Sequence, residues 1–178
     1  MKYLKYKANQ VQEIQQLFTR TFTDSEGEEE GKLIGGLVQN LFDMTDSKNI
    51  HVFVATDSEK VVGCIIFTKL TCENDTRAFL LSPVVVHTAY HGKGIGQGLI
   101  KYGLEALRDL EATLAITYGD INFYSKTGFI QIDEGLIEAP LPLSYPEGWL
   151  GQSLTDREIN PVKGKTKCVR ALNNPVYW

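Results

Sequence analysis

Apolar residues return at helical intervals along the first part of the chain. Val11, Ile14, Phe18 and Phe22 fall on one face behind Asn9, a residue type suited to capping a helix. A second stripe comprises Leu33, Ile34, Leu37, Val38, Leu41 and Phe42. It follows the acidic run Asp24 to Glu30, whose carboxylates suit the positive end of a helix macrodipole. A short strand around Tyr3 to Tyr6 is expected ahead of both helices.

The period then changes. HVFVA, VVGCIIFTKL and AFLLSPVVV are β-rich runs separated by the turn sequences TDSEK and ENDTR, so His51 to His87 reads as an antiparallel three-strand meander. The third run is apolar at nearly every position, which places it centrally with both faces covered. Helical spacing resumes from Gly94 to Leu110, with Ile95, Leu99, Tyr102, Ala106 and Leu110 assigned inward and Gln97, Lys101, Glu105 and Arg108 outward. TLAITY reads as a strand, INFYSKT as a short helix and FIQI as a further strand. Strand, long helix, strand is a crossover that makes its flanking strands parallel. The expected fold is α/β (α+β): a mixed, mostly antiparallel sheet flanked by helices. Beyond Asp133 the chain carries Pro140, Pro142, Pro146, Pro161 and Pro175, and GWLGQSL is the one strand expected there.

Composition narrows the picture. A chain of 178 residues that is 43% hydrophobic suits a single domain with a sizeable core. A net charge of -4 gives no basic footprint, so no nucleic-acid partner is expected. No run approaches the roughly 18 apolar residues of a membrane span, and the start MKYLKYKANQVQE has no apolar signal-peptide core. No membrane partner and a cytoplasmic location are therefore expected. Cys64, Cys72 and Cys168 are odd in number and lack CxxC spacing, so neither a disulfide framework nor a metal site is expected.

The stretch HGKGIGQG, at the start of the long helix, departs from good helix chemistry. Glycine in a helix costs about 1 kcal/mol relative to alanine, yet Gly94, Gly96 and Gly98 all lie in or near the first turns. A helix start exposes unpaired amides with partial positive charge, and removing side chains there lets a phosphate approach them. Gly92, Gly94 and Gly96 would admit the anion, and Lys93 would add charge; Gly98 and Gly103, further along, suit close packing. Neither common nucleotide motif fits. A Walker loop needs Ser or Thr where Gly94 follows Gly92-Lys93, and a dinucleotide fingerprint needs glycine where Leu99 stands.

Pro83 supplies a second clue. It removes an amide donor from an apparently central strand, which predicts a bulge near Ser82 and Pro83 and a splay from the next strand. A ligand carrying amides would fill that gap as a surrogate strand while its phosphates rest at His91 to Gly96. Pantetheine joined to a pyrophosphate is such a ligand.

These residues resemble the GNAT superfamily of acyl-CoA-dependent N-acetyltransferases. His91, Gly94 and Gly96 occupy the places of that family's pyrophosphate loop, with His91 where Gln or Arg is usual, and FYSKTGF matches its later aromatic motif. LSPVVVHTAYHGKGIG and YGDINFYSKTGF are similar to the YhbS-like branch. The resemblance implies a bulged strand splayed from its parallel neighbour, one domain over 1–178 with its core over about 1–133, and a segment 134–178 completing the acceptor side. It implies acetyl-CoA as cosubstrate, no metal, and transfer to a primary amine of a small molecule or a protein, and it leaves a homodimer open. By the same resemblance Tyr124 is the general acid, the amides of Val84, Val85 and Val86 hold pantetheine, and His91, Gly92, Lys93, Gly94, Ile95 and Gly96 hold the pyrophosphate. Glu73, His87 and Asp120 are considered as the base by position, and none is assigned. A catalytically inactive acyl-CoA-binding sensor or subunit is the alternative function.

Overall fold

A computed structural model describes residues Met1–Trp178. After strand β1 (Lys2–Lys5) come helices α1 (Val11–Glu26) and α2 (Glu28–Met44), then strands β2 (Ile50–Asp57), β3 (Lys60–Leu70) and β4 (Ala78–Val86). Helix α3 (Ile95–Asp109) leads to β5 (Leu114–Tyr118), the short helix α4 (Ile121–Tyr124) and β6 (Ile130–Gln131). The C-terminal part adds β7 (Ile137–Glu138), β8 (Trp149–Ser153) and β9 (Val162–Lys165). Seven strands form one sheet in the order β1-β2-β3-β4-β5-β8-β6, while β7 and β9 pair separately. As expected, β4 is central, β4 and β5 are parallel, and the strands outside that pair are mostly antiparallel.

Contacts group the chain into two compact units, one of Met1–Ile66 with Pro83–Gly103 and one of Phe67–Ser82 with Leu104–Trp178. In the first, α1 and α2 pack through Ile14, Leu17, Phe18, Ile34, Leu37, Val38 and Leu41. Gly31 and Gly35 lie against α1, where a Cβ on Gly35 would collide with the Thr19 hydroxyl and one on Gly31 with Thr23. Gly36, one residue on, faces open space. Gly35→Leu is therefore expected to lower stability by about 1–3 kcal/mol through overpacking, whereas Gly36→Ala raises it by up to about 1 kcal/mol through helix propensity. Urea unfolding of both variants measures the contrast.

Two details of the sequence reading change. Helix α1 starts after a 3-10 turn at Ala8–Gln10, and Asn9 lies inside that turn; Gln10 takes the N-cap position and accepts the Lys7 amide at 2.8 Å. The buried stripe of α3 runs through Ile95, Leu99, Ile100, Leu104 and Leu107, while Tyr102 and Leu110 are 38% and 43% exposed. The positions assigned inward do share one face, but the buried face is centred further round the helix, on Ile100, Leu104 and Leu107, so that Ile95 and Leu99 lie on its border and Tyr102 and Leu110 fall outside it.

Candidate active site

The first unit holds the glycine-rich loop. Gly92 and Gly94 adopt φ of 73° and 72°, a left-handed conformation open to glycine, and a Cβ at either would meet nothing within 4 Å. The space in front of both is clear. Apart from the Lys93 amide, which closes the turn at His91–Gly92, the backbone amides from Gly92 to Gln97 have no acceptor in the chain; the ladder of α3 starts with the Gly98 amide bonding the Gly94 carbonyl at 3.0 Å. Free donors from Gly94 to Gln97 therefore open at the positive end of a 15-residue helix. Gly98, by contrast, seats the ring of Tyr3, as its packing role requires.

His91 closes the loop instead of lining it. Its amide bonds the Thr88 carbonyl at 3.2 Å, and its Nε2 sits 2.6 Å from the Val86 carbonyl. The Lys93 ammonium folds back to the Ala89 carbonyl at 3.2 Å and lies 4.9 Å from the centre of the Tyr90 ring. Two further braces were not legible in the sequence, which carries no local signal for either. The Tyr90 hydroxyl donates to Asp57 at 2.8 Å, and the hydroxyl of Thr88 donates to Asp24 at 3.1 Å. The hydrogen bond to Asp57 pushes the Tyr90 pKa up, because it stabilises the protonated phenol beside a carboxylate. Asp24, part of the acidic run, thus fixes the segment that leads into the loop.

Within β4 the backbone changes side. The Leu81 carbonyl accepts the Thr117 hydroxyl of β5 at 2.9 Å, whereas the His87 amide bonds the Val62 carbonyl of β3 at 2.8 Å. Residues 81 and 87 have the same parity and would point the same way in a regular strand. One alternation is lost between them, in the interval that holds Pro83. The parallel register with β5 ends at Leu81↔Thr117, so Val84 to Val86 continue past the last paired residue. Counting back from His87, Val85 turns its amide toward β3, and Val84 and Val86 turn theirs to the opposite side.

The second unit holds Tyr124, the last residue of α4. Its ring stands edge-on to Phe123 and Phe129, with centroids 5.0 and 5.8 Å away. It also lies so close on Gly119 that a Cβ there would come within 2.8 Å of ring atom Cε2. Burial pushes the phenol pKa above its ordinary 10.0. By solvent exposure Tyr124 as a whole is half-buried. At neutral pH it is a protonated donor.

Tyr118, the residue before Gly119, is fixed by the C-terminal segment. Its ring stacks on Trp178 at 6.1 Å, and its hydroxyl accepts the Tyr145 amide at 2.7 Å. The residues considered as bases take structural roles here. Asp120 caps α4, its Oδ1 accepting the Asn122 amide at 2.9 Å; His87 accepts the Ala89 amide at 3.1 Å; Glu73 lies against Gly164. Asp120→Asn is expected to keep both turnover and stability, since Asn and Asp cap equally well but only Asp could accept a proton. Loss of kcat in a folded Asp120→Asn variant would make Asp120 the base.

Known proteins similar to this chain in sequence or fold are described as acetyltransferases. The family model for the acetyltransferase (GNAT) domain matches residues 48–131. The chain is 28% identical over 138 residues to YjhQ of Escherichia coli K12, described as an uncharacterised N-acetyltransferase, which covers 74% of this chain and 76% of the relative. The structure of the GNAT-family N-acetyltransferase YhbS from Escherichia coli in complex with CoA has a TM-score of 0.82 at 24% identity, covering 97% of this chain and 92% of that one. A GNAT-family acetyltransferase from Brucella melitensis in complex with acetyl-CoA gives 0.73 at 23% identity, covering 97% of each chain.

Proposed function

We propose that this chain is an acyl-CoA N-acetyltransferase of the GNAT family, whose model matches residues 48–131, and that it moves an acetyl group from acetyl-CoA to a primary amine by direct attack on the thioester. One observation carries the reading: the unpartnered amides from Gly94 to Gln97, entered through two left-handed glycines with open space before them. Such a cup suits the diphosphate of CoA. Val84 and Val86, with amides turned from β3 beyond the end of the β5 pairing, are the donors for pantetheine, and Val85 contributes by holding β4 to β3. The structural neighbours crystallised with CoA and acetyl-CoA support the choice of ligand.

In the proposed reaction the neutral amine nitrogen bonds the thioester carbonyl carbon and the carbon–sulfur bond breaks. The amine gives up a proton to water or a base, and the departing sulfur takes one from the Tyr124 hydroxyl. His91 acts indirectly: by holding the Val86 carbonyl it keeps the loop folded back on β4. Calorimetry with CoA and acetyl-CoA, followed by thiol release over a panel of amines, tests the proposal. Binding with amine-dependent thiol release is expected. Binding with no release for any amine would favour the sensor, and no binding to a folded chain would overturn the reading.

A further inference from the structure

Strand β1 is an edge of the seven-stranded sheet and pairs on one side only. The Tyr6 amide bonds the Val52 carbonyl at 3.1 Å, and by alternation Leu4 and Lys2 also turn their backbone groups to β2. Tyr3 and Lys5 therefore turn N–H and C=O outward, to no partner in the chain. Beside this edge runs a groove whose walls include Lys2, Leu4, Lys5, Asn9, Gln10 and Thr56. Thr56 stands opposite Lys2 in the strand register, is 7% exposed, and its hydroxyl has no hydrogen-bond partner in the protein. A hydroxyl so placed gains from meeting a polar group of a ligand. Leu4, on the same face of β1 as Lys2, is 40% exposed.

Charge selects what fits there. The chain has a net charge of -4, yet its first twelve residues carry Lys2, Lys5 and Lys7 and no acid. None of the three lysines is paired with a carboxylate. From Lys2 to Lys7 an extended chain covers about 17 Å, a spread that suits an extended ligand better than a single anion. We propose that the outer edge of β1 takes up an acidic peptide segment of a partner protein as a further strand, its carboxylates meeting Lys2, Lys5 and Lys7. The backbone of that segment bonds the outward groups of Tyr3 and Lys5. Its side chains alternate between the two faces, one set toward Lys2, Leu4 and Thr56 and the other toward Lys5. A second copy of this chain does not fit, because pairing β1 with itself about a two-fold axis sets lysines against lysines, and like charges across a strand pair repel. The lysines that guard the edge against its own kind thus admit a strand of opposite charge.

The probe is a peptide carrying Glu-Thr-Glu-Val-Thr-Glu between Gly-Ser flanks, titrated into isotope-labelled protein and followed by NMR. Saturable binding is expected, with slowed hydrogen exchange at the outward amides of Tyr3 and Lys5. The same peptide N-methylated at alternate residues, in either frame, keeps its charge and loses donors that a strand needs. It should bind at least about tenfold more weakly. Lys2→Gln and Lys5→Gln, both at exposed positions, should each weaken binding about two- to fivefold, and added salt should weaken it further. Binding of the N-methylated peptide as tight as that of its parent, or unchanged exchange at Tyr3 and Lys5 in the saturated protein, would mean charge attraction without an added strand and would overturn the proposal. An oligothymidylate of equal charge that binds more tightly would overturn it too, making the edge a nucleic-acid contact. So would slow exchange of both amides in the concentrated free protein, which would mean that a second copy holds the edge.

Discussion

Tyr124→Phe is expected to lower kcat by about 10²- to 10⁴-fold, the usual contribution of a positioned acid, while leaving the affinity for CoA nearly unchanged. The ring contacts that hold the residue, on Gly119, Phe123 and Phe129, involve ring carbons and survive in phenylalanine. The fold should survive with them. What is lost is the proton for the leaving sulfur, which must then depart as a thiolate or take a proton from solvent. Steady-state kinetics with acetyl-CoA and an accepted amine, beside calorimetry with CoA, measure the two effects apart. The pH dependence gives a second reading. Burial pushes the Tyr124 pKa above 10.0, so the acid remains protonated as pH rises and loses its proton only beyond that value. The kcat profile should therefore show no descending alkaline limb from this group below about pH 10. Unreduced turnover in Tyr124→Phe would take Tyr124 out of the mechanism.

The parts of this molecule that could be read from sequence are those governed by one local rule. The meander, the crossover through α3 and the central place of β4 follow from hydropathy period and turn chemistry, and they match the observed strand order. Ser58 and Glu59, at φ of 47° and 70°, make the two-residue β2–β3 turn without the glycine or asparagine such a turn favours; the flanking runs gave it away. The glycine loop was legible because its composition violates helix propensity. The C-terminal part was legible only in fragments. GWLGQSL does form β8, but it inserts between β5 and β6, an order set in part by pairing with β5 across more than thirty residues of sequence. The two-residue strands β6 and β7 are too short for any period to show, and Ile130 of β6 is 59% exposed. The role of His91 was hidden for a similar reason. Its position in the motif aligns it with a phosphate-facing residue, but only the fold shows the Val86 carbonyl 2.6 Å from its ring.

Gly94→Val is expected to weaken CoA binding by about 10²- to 10³-fold with little change in kcat at saturating acetyl-CoA. At φ of 72° the wild-type residue sits where a β-branched side chain is a steric outlier, at a cost of about 1–2 kcal/mol if the loop holds its shape. If the loop yields instead, Gly94 moves toward negative φ and the amides beside it change direction. Losing one or two hydrogen bonds to a charged diphosphate, at about 1.5–3 kcal/mol each, gives the expected change in Kd. Stability should fall much less than affinity, because a Cβ at this position meets no neighbouring atom. Calorimetry with two ligands locates the effect. CoA should bind the variant weakly, whereas pantetheine, which has the amides but no diphosphate, should bind wild type and variant alike. Equal weakening for both ligands would mean that the glycine shapes β4 and not the cup. An unchanged Kd for CoA would mean that the diphosphate does not sit at the amides of this helix at all.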